Sequence, residues 1–99
     1  MTLRPLFVTQ IYQSELSEAG LVPELADACR LLAVEDGAGR AWCREHRYPG
    51  YTSYGSLNDL PKRMPEFEAL KRELDRHAKA YAGALNFQLA RKPKLDNLW

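Results

Sequence analysis

The chain has 99 residues, 45% hydrophobic and 27% charged, the proportions of an ordinary globular domain rather than a disordered segment. Fourteen Lys and Arg against thirteen Asp and Glu leave a formal charge of +1, which removes the bulk-electrostatic case for a nucleic-acid binder. Apolar runs are only a few residues long, and the start MTLRPLFVTQ lacks a long apolar core and a small-residue cleavage site; no membrane span or secretory signal is read, and a cytoplasmic protein is expected.

In chain order, Leu3 to Tyr12 is expected to form a strand, because Phe7, Val8, Ile11 and Tyr12 favour extended structure and Pro5 marks an edge position. Ser14 to Gly20 is turn-like. A helix follows from about Pro23 to near Gly37, with Glu24 and Asp27 early and Leu21, Leu25, Ala28, Cys29 and Leu32 on one face. A shorter helical run, Arg40 to His46, carries Trp42 and Cys43. The Pro49-Gly50 pair marks a turn, and Tyr51 to Leu57 is expected to be a polar strand. Pro65 opens the clearest element, a helix from Glu66 to about Leu85. Phe67, Leu70, Leu74, Ala78, Tyr81 and Leu85 recur there at helical spacing. Arg91-Lys92-Pro93-Lys94 forms a basic loop, and Leu95, Leu98 and Trp99 begin a further strand.

Candidate chemistry is sparse. Cys29 and Cys43 read as two small buried hydrophobic residues rather than a disulfide, and neither His46 nor His77 stands at metal-ligand spacing with them. His77 falls beside the apolar face of the long helix, where a hydrogen-bonded, half-buried imidazole is expected. His46 falls near a helix end, where the dipole favours its positive form. Gly37-Ala38-Gly39 does not follow a strand and precedes no Lys-Ser or Lys-Thr, so it is not a phosphate loop. The three charges of the 91–94 loop neutralise too few phosphates for firm nucleic-acid binding.

The stretch from Tyr48 to Leu60 is richer, with three tyrosines, three hydroxyl side chains and Asn58. Alternation places Tyr51, Ser53 and Gly55 on one face and Thr52, Tyr54 and Ser56 on the other. Such a strand suits the wall of a pocket for a carboxylate or sugar-like ligand. It suits equally an exposed edge whose tyrosines lie flat with their hydroxyls in water. Tyr54, Ser56 and Asn58 are the candidate substrate-binding residues.

Four blocks then stand in a distinctive order: Arg4-Pro5-Leu6-Phe7-Val8-Thr9-Gln10-Ile11-Tyr12, Gly50-Tyr51-Thr52-Ser53-Tyr54, Ser56-Leu57-Asn58-Asp59-Leu60 and Leu95-Asp96-Asn97-Leu98-Trp99. Together they resemble the N-terminal part of a bacterial family of 2-oxoglutarate- and Fe(II)-dependent oxygenases. The resemblance implies a double-stranded β-helix, or jelly roll, with iron held by a His-x-Asp or His-x-Glu pair and a distant His. It also implies an Arg anchoring 2-oxoglutarate, and a reaction that couples decarboxylation to succinate with hydroxylation of a C–H bond. In the family these ligands follow the Leu-Trp block, and neither His46 nor His77 matches one.

The expectation is therefore an α+β chain, residues 1–99 forming the N-terminal segment of one oxygenase-like domain with an incomplete barrel and its catalytic half missing. The apolar run ending at Trp99 and the low strand count give the same impression of a truncated chain. Fe(II) and 2-oxoglutarate belong to the parent enzyme, with neither expected to bind this segment, which is expected to be inactive by itself. The partner is a small-molecule or peptide substrate of unknown identity, without nucleic acid or membrane, and unpaired strand edges invite self-association. The competing reading is a small non-enzymatic α+β protein-binding module, with the tyrosines and Trp99 as its contact patch.

Overall fold

A computed structural model describes residues 1–99, and its elements are all helices. Gly20, at φ 79°, turns the chain into α1 (Leu21–Glu35), whose first turn holds Pro23 and Glu24. Asp36 ends α1 by donating its N–H to the Leu32 carbonyl and starts α2 (Gly37–Glu45) by accepting from Gly39 N–H at 3.0 Å. One residue thus stops one helix and caps the next. A short α3 (Leu60–Arg63) leads through Met64 into α4 (Pro65–Ala84), which opens on Pro65, Glu66 and Glu68, residues that suit the positive end of a helix.

Ala28, Leu60 and Phe67 form the core, with Leu25, Leu32, Leu57, Met64 and Leu98 packed around it. The apolar stripes of α1 and α4 meet there because each helix has one face it must remove from water. On α4 the buried residues are Phe67, Ala69 and Glu73, whereas Leu74 keeps 38% of its surface exposed.

The expected α+β jelly roll is overturned. Forty-eight of the 99 residues are helical, and the only β pairing is an isolated parallel bridge between Asp59 and Leu98. Each expected strand fails for a reason of its own. Leu3 to Tyr12 lies without a partner strand: no backbone–backbone hydrogen bond precedes the one between Leu21 N–H and the Glu18 carbonyl, and Phe7 at φ 57° interrupts the extension. Residues 53–57 curl into a turn, the Ser53 carbonyl accepting from Ser56 N–H at 3.0 Å and Leu57 N–H at 2.8 Å, so alternation has no strand to act on. Residues 95–99 contribute only the bridge at Leu98. β-propensity describes a side chain's fit to a pleated, half-buried surface, and without neighbouring strands no such surface exists.

The molecule is open. Its radius of gyration is 18.0 Å, against about 13 Å for a compact chain of 100 residues. Its accessible surface is 8183 Å², against roughly 5,700 Å² from the scaling with mass. The N-terminal arm accounts for much of this, with Leu3, Leu6, Phe7 and Ile11 largely in water. No helix is long and apolar enough to cross a membrane.

Candidate functional site

The Tyr-rich segment wraps over the α1–α2 junction, and Asp36 organises it. Its Oδ2 accepts from Tyr51 Oη at 2.7 Å and Ser56 Oγ at 2.5 Å, while Oδ1 takes the Gly39 N–H. Burial pushes this carboxyl up, but the donations from Ser56, Tyr51 and Gly39 outweigh it and hold it below the usual range. The Tyr51 hydroxyl is pushed well above its ordinary value, by burial first and then by its bond to Asp36. Close by, Cys43 Sγ accepts from Thr52 N–H at 3.4 Å and lies 3.6 Å from the Thr52 carbonyl. Both cysteines are free thiols; Cys43 is buried, but Cys29, expected to be buried with it, is exposed.

An aromatic cluster flanks this hub. Trp42 stacks on His46 with centroids 4.1 Å apart, and Tyr54 sets its ring edge-on to both Trp42 and Trp99, at 5.4 and 5.3 Å. Tyr54 and Trp99 are each more than half exposed. Beyond Trp99, Leu98 N–H donates to the Asn58 carbonyl at 3.2 Å and closes the bridge with Asp59. This junction borders a polar cavity of about 550 Å³, lined by Asn58, Asp59, Lys62, Arg72, Asp96 and Asn97 among others. Asp59 is held low by its hydrogen bond from Arg63, 2.6 Å away. Amides and charges of both signs give this cavity the means to bind a polar ligand, with Pro61 and Leu95 as its apolar part.

The three candidate residues therefore do not line one pocket. Ser56 turns inward to Asp36, Tyr54 joins the aromatic cluster, and only Asn58 lines the polar cavity. The residues present do not fit an Fe(II) facial triad. His46 Nδ1 lies 2.9 Å from the Trp42 carbonyl, His77 Nδ1 lies 2.8 Å from Tyr12 Oη, and no three His, Cys, Asp or Glu side chains come together as a ligand set. His77 Nε2 instead faces Glu73 at 3.5 Å.

Sequence reasoning passed over Asp36 and gave no special place to Trp42. A usable signal was present, since an Asp three residues before Gly39, after one helical pattern and before another, is an N-cap arrangement. Trp42 packs over Gly55 and against Tyr54, more than ten residues away, and no local pattern shows that. The chain matches no known protein-family model, and a search of curated proteins finds no significant match.

Proposed function

We propose that this chain is the N-terminal part of a 2-oxoglutarate- and Fe(II)-dependent oxygenase that contributes to the substrate side, with the iron ligands supplied by residues outside 1–99. One observation carries the reading. Three of the four blocks behind the resemblance meet at one place, the adjoining 50–54 and 56–60 against 95–99 some forty residues further on: Tyr54 on Trp99, and Asn58–Asp59 on Leu98, at the edge of the polar cavity. The open shape supports it further, because roughly 2,500 Å² of surface beyond the compact expectation is the scale of an extensive interface with further protein.

Sequencing the gene past the codon for Trp99 tests the proposal. The expected result is a His-x-Asp or His-x-Glu pair, then a second His and an Arg, in a product that releases succinate and CO₂ from 2-oxoglutarate when given Fe(II) and O₂. A stop codon directly after Trp99 overturns it. That outcome favours a protein-binding module, the reading supported by the exposed Leu3, Leu6, Phe7 and Ile11 of the arm.

A further inference from the structure

The basic loop at 91–94 folds back along α4, and Asp75 holds it there. Asp75 Oδ1 accepts from the Leu95 backbone N–H at 2.5 Å, and Oδ2 from Lys71 Nζ at 2.6 Å. Between loop and helix lies a groove of about 390 Å³, with Lys71, Arg76 and Lys79 on the helix side and Lys92, Pro93 and Lys94 on the loop side. Asp75 is the only acid in the lining, and both its oxygens are already engaged. Arg76 is engaged too, by Glu73 and Ser17. Lys79, Lys92 and Lys94 are exposed and form no ion pair.

A chain whose net charge is +1 thus sets five cations and one carboxylate around a single small groove. Three free ammonium groups on one concave surface repel each other, and a multiply charged anion between them relieves that repulsion. The size is that of a small-ligand site rather than a track for a long polymer. An adjoining cleft of about 330 Å³ shares Lys79 and Lys92 and carries the exposed Phe87 and Leu89, a shelf for an uncharged remainder of the same ligand.

We propose that the groove between α4 and the 91–94 loop binds a small ligand bearing two or three adjacent phosphate groups. Two or three phosphates bring about −3 to −5 charges at neutral pH, enough to compensate the three unpaired ammonium groups of Lys79, Lys92 and Lys94. Lysines suit such a ligand because they act as mobile point charges and do not demand one bidentate geometry. The inference stands apart from the oxygenase reading, and either can fail without the other.

Titration calorimetry of the 99-residue chain with inorganic tripolyphosphate, at about 0.15 M salt, tests it. Saturable one-to-one binding is expected. Its Kd should rise at least about tenfold in Lys79→Glu/Lys92→Glu and hold in Arg44→Glu, an exposed cation on α2. Circular dichroism checks that each variant keeps its helices, and the milder Lys92→Gln/Lys94→Gln serves if charge reversal disturbs folding. Tighter binding of a nucleoside triphosphate than of tripolyphosphate assigns the shelf to a planar remainder. The proposal is overturned by absence of saturable binding, by an equal loss in Arg44→Glu, or by co-sedimentation with anionic phospholipid vesicles without tripolyphosphate binding.

Discussion

Gly55 has no side chain because Trp42 occupies the space where one would go: a Cβ there would press into Trp42 Cδ1, Cγ and Nε1. Gly39 is confined likewise by the Asp36 carboxylate and by Ser56 Oγ, which would lie 2.8 Å from a Cβ. Gly55→Ala should therefore displace the indole and cost about 1–3 kcal/mol, as overpacking does, read by urea unfolding together with a changed near-ultraviolet signal. Unchanged stability and spectrum would count against the packing described. Glu73 offers a second residue-scale test. Its carboxylate is held down to about 2, first by the hydrogen bond from Ser17 Oγ, with the Ser17 N–H and Arg76 adding to it against the opposing effect of burial. A folded value below the unfolded one means that the stabilisation is complete above the ordinary 4.5 and drains away as pH falls from there toward 2. Glu73→Gln should weaken the acid-induced loss of helix in that window. It should not abolish it, because Asp36, Asp59 and Asp75 are also held low. Superimposable acid profiles for the two proteins would show that Glu73 does not contribute.

The three longer helices were legible in the sequence, with α2 starting at Gly37 rather than Arg40, but the short α3 was not, and the expected strands do not form. Pro65, Glu66, Glu68 and the spacing of Phe67, Leu70 and Leu74 carry α4 on their own, since a helix satisfies its backbone internally. Leu3–Tyr12 carries equally good strand residues, but a strand needs a partner, and no local pattern supplies one. Periodicity also misjudged how deeply α4 is buried toward its C-terminal end. It places Leu70, Leu74 and Tyr81 with Phe67, yet the arm meets this half of the helix through the Tyr12 ring beside His77 and Tyr81 and through hydrogen bonds, Tyr81 Oη to the Gln10 carbonyl, Tyr12 to His77, and Ser17 to Glu73, rather than through an apolar cover on Leu74. A contrast follows. Phe67→Ala should cost about 3–5 kcal/mol, whereas Leu74→Ala, at a position 38% exposed, should cost about 1 kcal/mol or less by urea denaturation. Equal costs would mean that the apolar stripe is buried along its whole length.

At the scale of the molecule, the basic groove shows what a linear reading misses. Arg91, Lys92 and Lys94 were visible as three charges, but Lys92 and Lys94 meet Lys71, Arg76 and Lys79 only because the loop returns to the helix. Asn58 and Leu98 meet across some forty residues for the same reason. Small-angle scattering of the dilute chain should give a radius of gyration near 18.0 Å, and a value near the compact figure would mean that the arm folds down in solution. The arm's attachment has a consequence in time as well as in shape. Contacts of Gln10, Tyr12 and Ser17 with α4 side chains tie residues 10–17 to that helix, and no backbone ladder links them to it. Those ties can break and re-form while the helices stay folded, so the arm is a separate, low-stability opening unit. Its amides should exchange with deuterated solvent long before those inside α4. Such a segment is able to trade its resting place on the helix for another surface without any part of the core having to melt.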